Sequence, residues 1–194
     1  METRHALNTT EYAVLGLLAF GESSGYDLVR LAGRSIEYMW SPSRSQIYKV
    51  LPRLVGRGLA ESREVEQRGR PDKALYRITA AGMDQLRSWV ATAEENPAGS
   101  EVFLLKLFFA WVAPDEAART QLDLYRAWVD RHLRAFEEME RGLSDRDEPV
   151  HSRIALRHGI LRAKATLRWA EEAAALLGSV AADEALDQAP GTRA

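Results

Sequence analysis

Between Ser43 and Gly58 the apolar positions recur at helical spacing. Ile47, Val50, Leu51, Leu54 and Val55 stand at i, i+3, i+4, i+7 and i+8, which places them on one buried face of an amphipathic helix. The opposite face carries Arg44, Ser45, Tyr48, Lys49, Arg53 and Arg57, with no acidic residue from Ser41 to Gly58. Past Gly58 the period changes. Leu59 to Val65 and Ala74 to Ile78 read as two strands of a hairpin, joined by the basic loop Gln67-Arg68-Gly69-Arg70-Pro71-Asp72-Lys73.

Upstream, Thr10 is placed to cap a helix running to about Phe20, with Val14, Leu17 and Leu18 on one face. Gly21-Glu22-Ser23-Ser24-Gly25 interrupts it. That pentapeptide matches the nucleophile-elbow pattern G-x-S-x-G, but the elbow needs a strand before it and here a helix precedes. Ser24 and Asp27 form a capping pair for a second helix, Gly25 to about Ile36, with Leu28, Leu31 and Ala32 facing the core. Ser43 and Gln46 have the spacing of a capping box for the basic third helix. Pro52 inside that helix removes a backbone donor and crowds the carbonyl of Tyr48, so a kink is expected.

Downstream, Thr79 caps a fourth helix, Ala80 to about Ala93, with Met83, Leu86 and Val90 in register. The stretch Glu94-Glu95-Asn96-Pro97-Ala98-Gly99 reads as a linker. Three helical segments follow. Residues 100–112 carry Phe103, Leu104, Leu107, Phe108 and Trp111. Pro114 opens a long helix to about Gly142, with Leu122, Tyr125, Val129, Leu133 and Phe136 on one stripe. After a polar break from Ser144 to Pro149, a last helix runs from about His151 to Leu177 with the stripe Ile154, Leu161, Ala165, Trp169 and Leu176.

The fold expected is mainly α with a small β-hairpin. A helix pair with a Gly turn, a basic third helix and a basic-tipped hairpin make a winged helix-turn-helix over 1–93. A linker spans 94–99, a helical dimerisation and effector module 100–178, and a flexible tail 179–194. Long helices with wide apolar stripes commonly pair with another copy of the chain. A dimer would set two reading helices about one DNA turn apart, ~34 Å.

Charge changes this picture by where it sits. The 194 residues have a formal net charge of −2, which looks wrong for a nucleic-acid binder. Residues 1–92, however, hold 13 Lys and Arg against 10 Asp and Glu, and 41–77 hold 9 against 4, so positive charge is focused on the suspected reading element. Zero cysteines exclude disulfides and thiolate chemistry. No signal-peptide pattern or long apolar run is present, and the expectation is a cytoplasmic protein. His132 and His158 stand singly on helices, so neither a metal nor any other cofactor is expected.

The chemistry then falls on named residues. Ser43, Arg44, Ser45, Gln46, Tyr48, Lys49 and Arg53 lie where helix-turn-helix proteins reach bases and phosphates. Gln pairs with adenine, and Arg or Lys with guanine or phosphate. Arg68, Arg70 and Lys73 belong to the loop, where arginine suits a narrow minor groove. Aromatics at helical spacing are core residues first. Trp111, Tyr125, Trp128, Leu161 and Trp169 are nonetheless the candidates for an effector cavity or dimer interface.

These residues resemble the PadR family of bacterial transcriptional regulators over nearly the whole chain. Gly25-Tyr26-Asp27-Leu28 is similar to the family's opening of its second helix. Trp40, Ser43, Gln46-Ile47-Tyr48, Leu51, Leu54 and Gly58-Leu59 fit the pattern around its recognition helix. Arg68 to Lys73, Tyr76-Arg77-Ile78-Thr79 and Gly82 resemble its wing and the turn after it. Glu101 to Phe109 and Arg162 to Trp169 resemble the longer subgroup with three C-terminal helices. Pro52 and Ala80 depart from the pattern. The resemblance implies a homodimeric repressor whose C-terminal helices cross the partner chain. An effector, where one exists, would loosen its hold on double-stranded operator DNA.

The sequence is therefore read as a specific DNA-binding regulator with no membrane partner. The competing reading is a winged-helix module for protein partners, against which the basic wing counts. An enzyme is not expected, since no acid–base pair, phosphate loop or nucleophile stands in a credible context.

Overall fold

The computed structural model describes residues 7–37, 40–66, 73–92, 100–143 and 150–187, with side chains described to Ser179. It divides into two compact units, residues 1–117 and 118–194.

The first unit is built around α1 (Thr9–Leu18). Asn8, not Thr10, caps it. The Asn8 side chain accepts from the Glu11 backbone N–H at 3.0 Å, and the Glu11 carboxylate accepts from the Asn8 N–H at 2.9 Å. Every residue from Glu11 to Leu18 is buried. The helix thus has no solvent face, where the expected stripe of Val14, Leu17 and Leu18 would leave one open.

Next come β1 (Ser23–Ser24), α2 (Gly25–Ser35) and α3 (Arg44–Gly56). Ser24 caps α2, accepting from the Asp27 N–H at 3.2 Å and donating to its carboxylate at 2.7 Å. Hydrogen bonding from Ser24 holds the Asp27 carboxyl below its ordinary pKa. The pentapeptide taken as a break in fact supplies a strand. Ser23 and Ser24 pair with Tyr76 and Leu75 at the edge of a sheet ordered β1-β3-β2. Ser23 Oγ donates to the Gly21 carbonyl at 3.2 Å, and no histidine lies among the described residues of this unit.

α3 continues as helix through Pro52, which is exposed. Gly58, at φ +71°, follows its C-terminus in a conformation that other residues adopt at a cost. The chain then enters β2 (Ala60–Val65) and β3 (Lys73–Ile78), antiparallel with Ala60 opposite Ile78 and Val65 opposite Lys73. α4 (Ala80–Ala91) starts at the Thr79 cap, whose side chain accepts from the Gly82 N–H at 3.0 Å.

The first unit does not end with α4. The expected linker 94–99 lies outside the described residues. Beyond it, α5 (Ser100–Phe108) and the 3-10 turn Ala110–Val112 join the same core. Leu105 and Phe109 are fully buried there with Leu15, Leu17 and Leu86. The Phe109 ring packs on Gly16 so closely that a methyl there would lie 2.6 Å from it. Lys106, only 2% exposed, donates to the Thr92 carbonyl at 2.7 Å, and its ammonium lies 5.3 Å from the Trp89 ring centre. A cation suits the C-terminal carbonyls of α4. Arg87 Nε donates to the Val112 carbonyl at 3.0 Å. The compact unit therefore extends past the expected boundary at 93, because α1 needs cover on the side that α2, α3 and α4 leave open.

The second unit is the antiparallel pair α6 (Asp115–Gly142, entering from the first unit) and α7 (Val150–Asp187). Leu122, Tyr125, Val129 and Leu133 of α6 are buried, and the Phe136 ring lies over Gly159, where an added Cβ would meet it at 3.2 Å. Glu137 pairs with Lys164 at 2.9 Å and Glu140 with Arg157 at 3.6 Å. On α7 the buried positions are Ile160, Ala163 and Ala170. The expected stripe is instead largely open, with Ile154 63%, Leu161 53% and Leu176 69% exposed. The tail also differs from expectation. α7 continues through Gly178 to Asp187, consistent with Ala181, Ala182 and Ala185, all strong helix formers. The break 144–149 lies outside the described residues.

Phe109→Ala should lower the unfolding free energy by about 3–5 kcal/mol in urea denaturation, the range for emptying a buried phenylalanine site. A fragment ending at residue 93 should fail to unfold cooperatively, whereas one ending at residue 114 should do so.

Candidate nucleic-acid interface

α3 turns its core face inward through Ile47, Val50, Leu51 and Leu54. The residues between them are exposed by the same periodicity. Ser45, Lys49 and Arg53 follow one another at i, i+4 and i+8, with Arg44 and Tyr48 in the next row, and all five are exposed. Among the described residues, Arg44, Lys49 and Arg53 form no salt bridge.

The start of the helix is pinned by Ser43, whose Oγ accepts from the Gln46 N–H at 3.3 Å and lies 3.0 Å from Ser45 Oγ. Gln46 Oε1 accepts in return from the Ser43 N–H at 2.7 Å. This assigns Gln46 a definite task. Its carbonyl oxygen is engaged in the capping box, so the two-point pairing with adenine considered from sequence would require that hydrogen bond to break.

Tyr48 is fixed by packing rather than by hydrogen bonding. The Arg44 guanidinium lies 5.5 Å from its ring centre, in cation–π range. The ring also rests on Gly25 at the start of α2, where an added Cβ would meet it at 2.9 Å. Glycine permits this approach, and it brings α2 to α3. Two residues not named as site candidates from sequence join the surface this way. Tyr26 is exposed beside Gly25, and the Arg30 guanidinium lies 5.9 Å from the Tyr26 ring centre. Nothing in the hydrophobic pattern marks them, because their relevance comes from the contact between α2 and α3.

The wing divides its charge differently. Arg68 and Arg70 lie outside the described residues. Lys73 opens β3 half-buried, and its charge helps to lower the Asp27 pKa. Arg63 and Arg77 are held by carboxylates. Arg63 Nε donates to Glu22 at 2.8 Å with a second bond from the same guanidinium, and Arg77 Nε donates to Glu61 at 2.7 Å. The Arg63 hydrogen bonds lower the Glu22 pKa, and those bonds raise that of Arg63. Arg57, at the end of α3, lies 4.0 Å from Glu11. The basic excess counted along 41–77 therefore reduces, among the described residues, to the outer face of α3 and Lys73.

The aromatic candidates fall into separate groups. In the first unit, Trp111 is exposed and lies 5.2 Å from Phe20 between ring centres, with Phe108 6.1 Å from Phe20. In the second unit, Tyr125 stacks with Trp128 at 6.4 Å and meets Trp169 edge-on at 6.4 Å. Burial raises the Tyr125 pKa. Leu161 does not join that cluster's ring contacts. It lines an open groove of about 770 Å³ with Val150, Ile154 and Arg157. Among the described residues no three His, Asp or Glu side chains are grouped to hold a metal, and no helix is long and apolar enough to cross a membrane.

Comparison with known proteins adds the following. Residues 14–88 match the transcriptional regulator PadR-like family, and residues 101–178 match the C-terminal domain described as virulence activator alpha. A probable transcriptional regulator of Mycobacterium tuberculosis is 29% identical over 181 residues, covering 86% of this chain and 96% of that protein. The negative transcriptional regulator PadR of Bacillus subtilis is 33% identical over 104 residues, 53% of this chain and 57% of the relative. The crystal structure of that Bacillus subtilis protein with operator DNA is 26% identical in sequence and aligns with a TM-score of 0.46, over 88% of this chain and 99% of the other. The second match begins at residue 101, although α5 is built into the first compact unit.

Ser43→Ala should lower the unfolding free energy by about 1 kcal/mol through loss of the cap. Lys49→Ala and Arg53→Ala should change it by less than about 0.5 kcal/mol, since among the described residues neither side chain has an ionic partner to lose. Urea titration of the three variants separates the helix's structural residues from its available ones.

Proposed function

The chain belongs to the PadR-like family of transcriptional regulators, and from that premise we propose that it is a homodimeric repressor whose α3 reads operator DNA in the major groove. The observation that carries this reading is the contrast between α3 and the wing strands. Arg44, Lys49 and Arg53 are exposed with no ionic partner among the described residues, whereas Arg63 and Arg77 are paired with carboxylates on the same chain. Unpaired cations on one helical face suit a polyanion and the release of its counterions. The face also carries the groups that hydrogen-bond to bases and phosphates, with Tyr26 and Arg30 on α2 extending the phosphate-facing surface. Arg68, Arg70 and Lys73 are assigned to the neighbouring groove. The reading gives the protein no catalytic role.

The homodimer is supported by α7. One face packs on α6, while Val150, Ile154, Leu161 and Leu176 present large apolar side chains with more than half of their surface exposed. A helix with apolar residues on two faces is stable in water when both are covered. The aromatic cluster of Tyr125, Trp128 and Trp169 is the assigned place for a flat effector, whose binding would shift the population away from the DNA-competent form.

Binding to the duplex upstream of the protein's own gene, followed by fluorescence anisotropy over a salt series, should exceed binding to a scrambled duplex by more than ~10³. Lys49→Ala should weaken both and reduce the salt slope by about one. Equal weak binding to both duplexes, unchanged in Lys49→Ala, would remove the reading. In sedimentation velocity the wild type should run as a dimer, and a double Ile154→Glu, Leu161→Glu variant should run as a monomer.

A further inference from the structure

The outer face of the wing sheet carries alternating charges that the regulator reading does not use. Glu61 and Arg77 are directly opposite across β2 and β3, and Arg63 stands opposite Leu75. Glu22 immediately precedes β1, the strand on the other side of β3, and from there reaches Arg63 on β2. Glu22, Glu61, Arg63 and Arg77 line one polar hollow of about 370 Å³ with Ser62 and Leu75. At ~3.3 Å of rise per residue, Arg63 is roughly 7 Å and Arg77 roughly 13 Å from the last described pair before the wing loop. Arg63 is thus within about one Debye length (~8 Å) of the Lys73 end of the hairpin at physiological salt, and Arg77 lies well beyond it.

Two free arginines there would add to the field that holds any duplex, whatever its sequence, because phosphate contacts carry no sequence information. Resting on the DNA-binding reading, we infer that Glu22 and Glu61 are specificity residues. They hold Arg63 and Arg77 in ion pairs that keep the wing strands from gripping phosphates indiscriminately. Among the described residues, the available cations are then concentrated on α3 and at Lys73. Arg63 is held in two places by one carboxylate, a geometry that satisfies the guanidinium fork. Glu22 stands in the turn between α1 and β1, so the guard comes from outside the hairpin it restrains.

The test compares wild type, Glu22→Gln, Arg63→Gln and the Glu22→Gln, Arg63→Gln double variant on a scrambled duplex, by anisotropy from low to moderate salt. Glu22→Gln keeps the side chain's shape while removing its charge. It should raise non-specific affinity roughly 5- to 10-fold at 0.1 M salt and steepen the log–log salt slope by ~0.9, the effect of one more neutralised phosphate. Arg63→Gln alone should lower non-specific affinity, since it leaves the Glu22 carboxylate without its partner and adds a repulsive charge beside the phosphates. The double variant should return to wild-type values. Glu61→Gln is the parallel case through Arg77, with a smaller gain expected from its greater distance from the loop. If Glu22→Gln leaves non-specific affinity and slope as they were, or lowers them, the guard role is overturned. Wild-type binding to the upstream duplex, and its loss in Lys49→Ala, reports on the parent reading separately. A wild type that binds no duplex defeats that reading, whereas one that binds specifically alongside a silent Glu22→Gln defeats only the guard.

Discussion

The constraint on which the first unit depends is the burial of α1 on every side. A helix whose residues from Glu11 to Leu18 are all inaccessible cannot be served by the three-helix core of a helix-turn-helix alone. α3 covers it through Ile47, Leu51 and Leu54, α4 through Leu86 and Val90, and α5 with the residue after it closes the remainder through Leu105 and Phe109. The position of α3 follows, because its inward face is packed in this same cluster. The Lys106 ammonium on the Thr92 carbonyl ties the closing helix to the end of α4. A buried lysine is costly unless it is hydrogen-bonded, and here it is given both a carbonyl and an aromatic face. The family division that begins at residue 101 thus crosses a physical unit: the first helix of the C-terminal region is part of the core that holds α3.

On that scaffold, local charge pairing determines which cations are available. A count along the chain treats Arg63 and Arg77 as equal to Lys49 and Arg53. Antiparallel pairing puts Arg77 beside Glu61, and the β1 edge puts Glu22 beside Arg63. Exposed pairs of this kind add little to stability. Their effect is on the field that an approaching polyanion meets. The capping box works in the same direction, engaging Gln46 in the start of α3 and leaving Lys49 and Arg53 further along the face.

The second unit poses a different physical problem. α7 has apolar residues on more than one face, and α6 can cover only one of them. Ile160, Ala163 and Ala170 are small or medium in size and let the two helices approach, whereas Ile154, Leu161 and Leu176 stand out from the other face. The larger side chains make the stronger stripe in a hydrophobic pattern, which is why that pattern selects the outer face. Periodicity reports that a face is apolar; it does not say which partner covers it.

Much of the local structure was legible in the chain itself. Helical spacing located α3 and α6, the change to strand character after Gly58 located the hairpin, and the caps at Ser24, Ser43 and Thr79 follow from short-range hydrogen bonding that three or four residues specify. These features are local, so sequence by itself determined them, and the family's motifs followed in order. What only the tertiary structure decided depends on residues far apart in the chain. Asn8 displaces Thr10 as the cap where α1 enters the core. Ser23 and Ser24 become a strand because β3 offers them an edge. Gly25 matters because Tyr48 lies on it. α5 belongs with the winged helix because α1 has a side to cover, and Arg63 is neutral in effect because Glu22 lies across a strand. Each of these is a pairing between segments, and its energy comes from contacts that no window along the sequence contains.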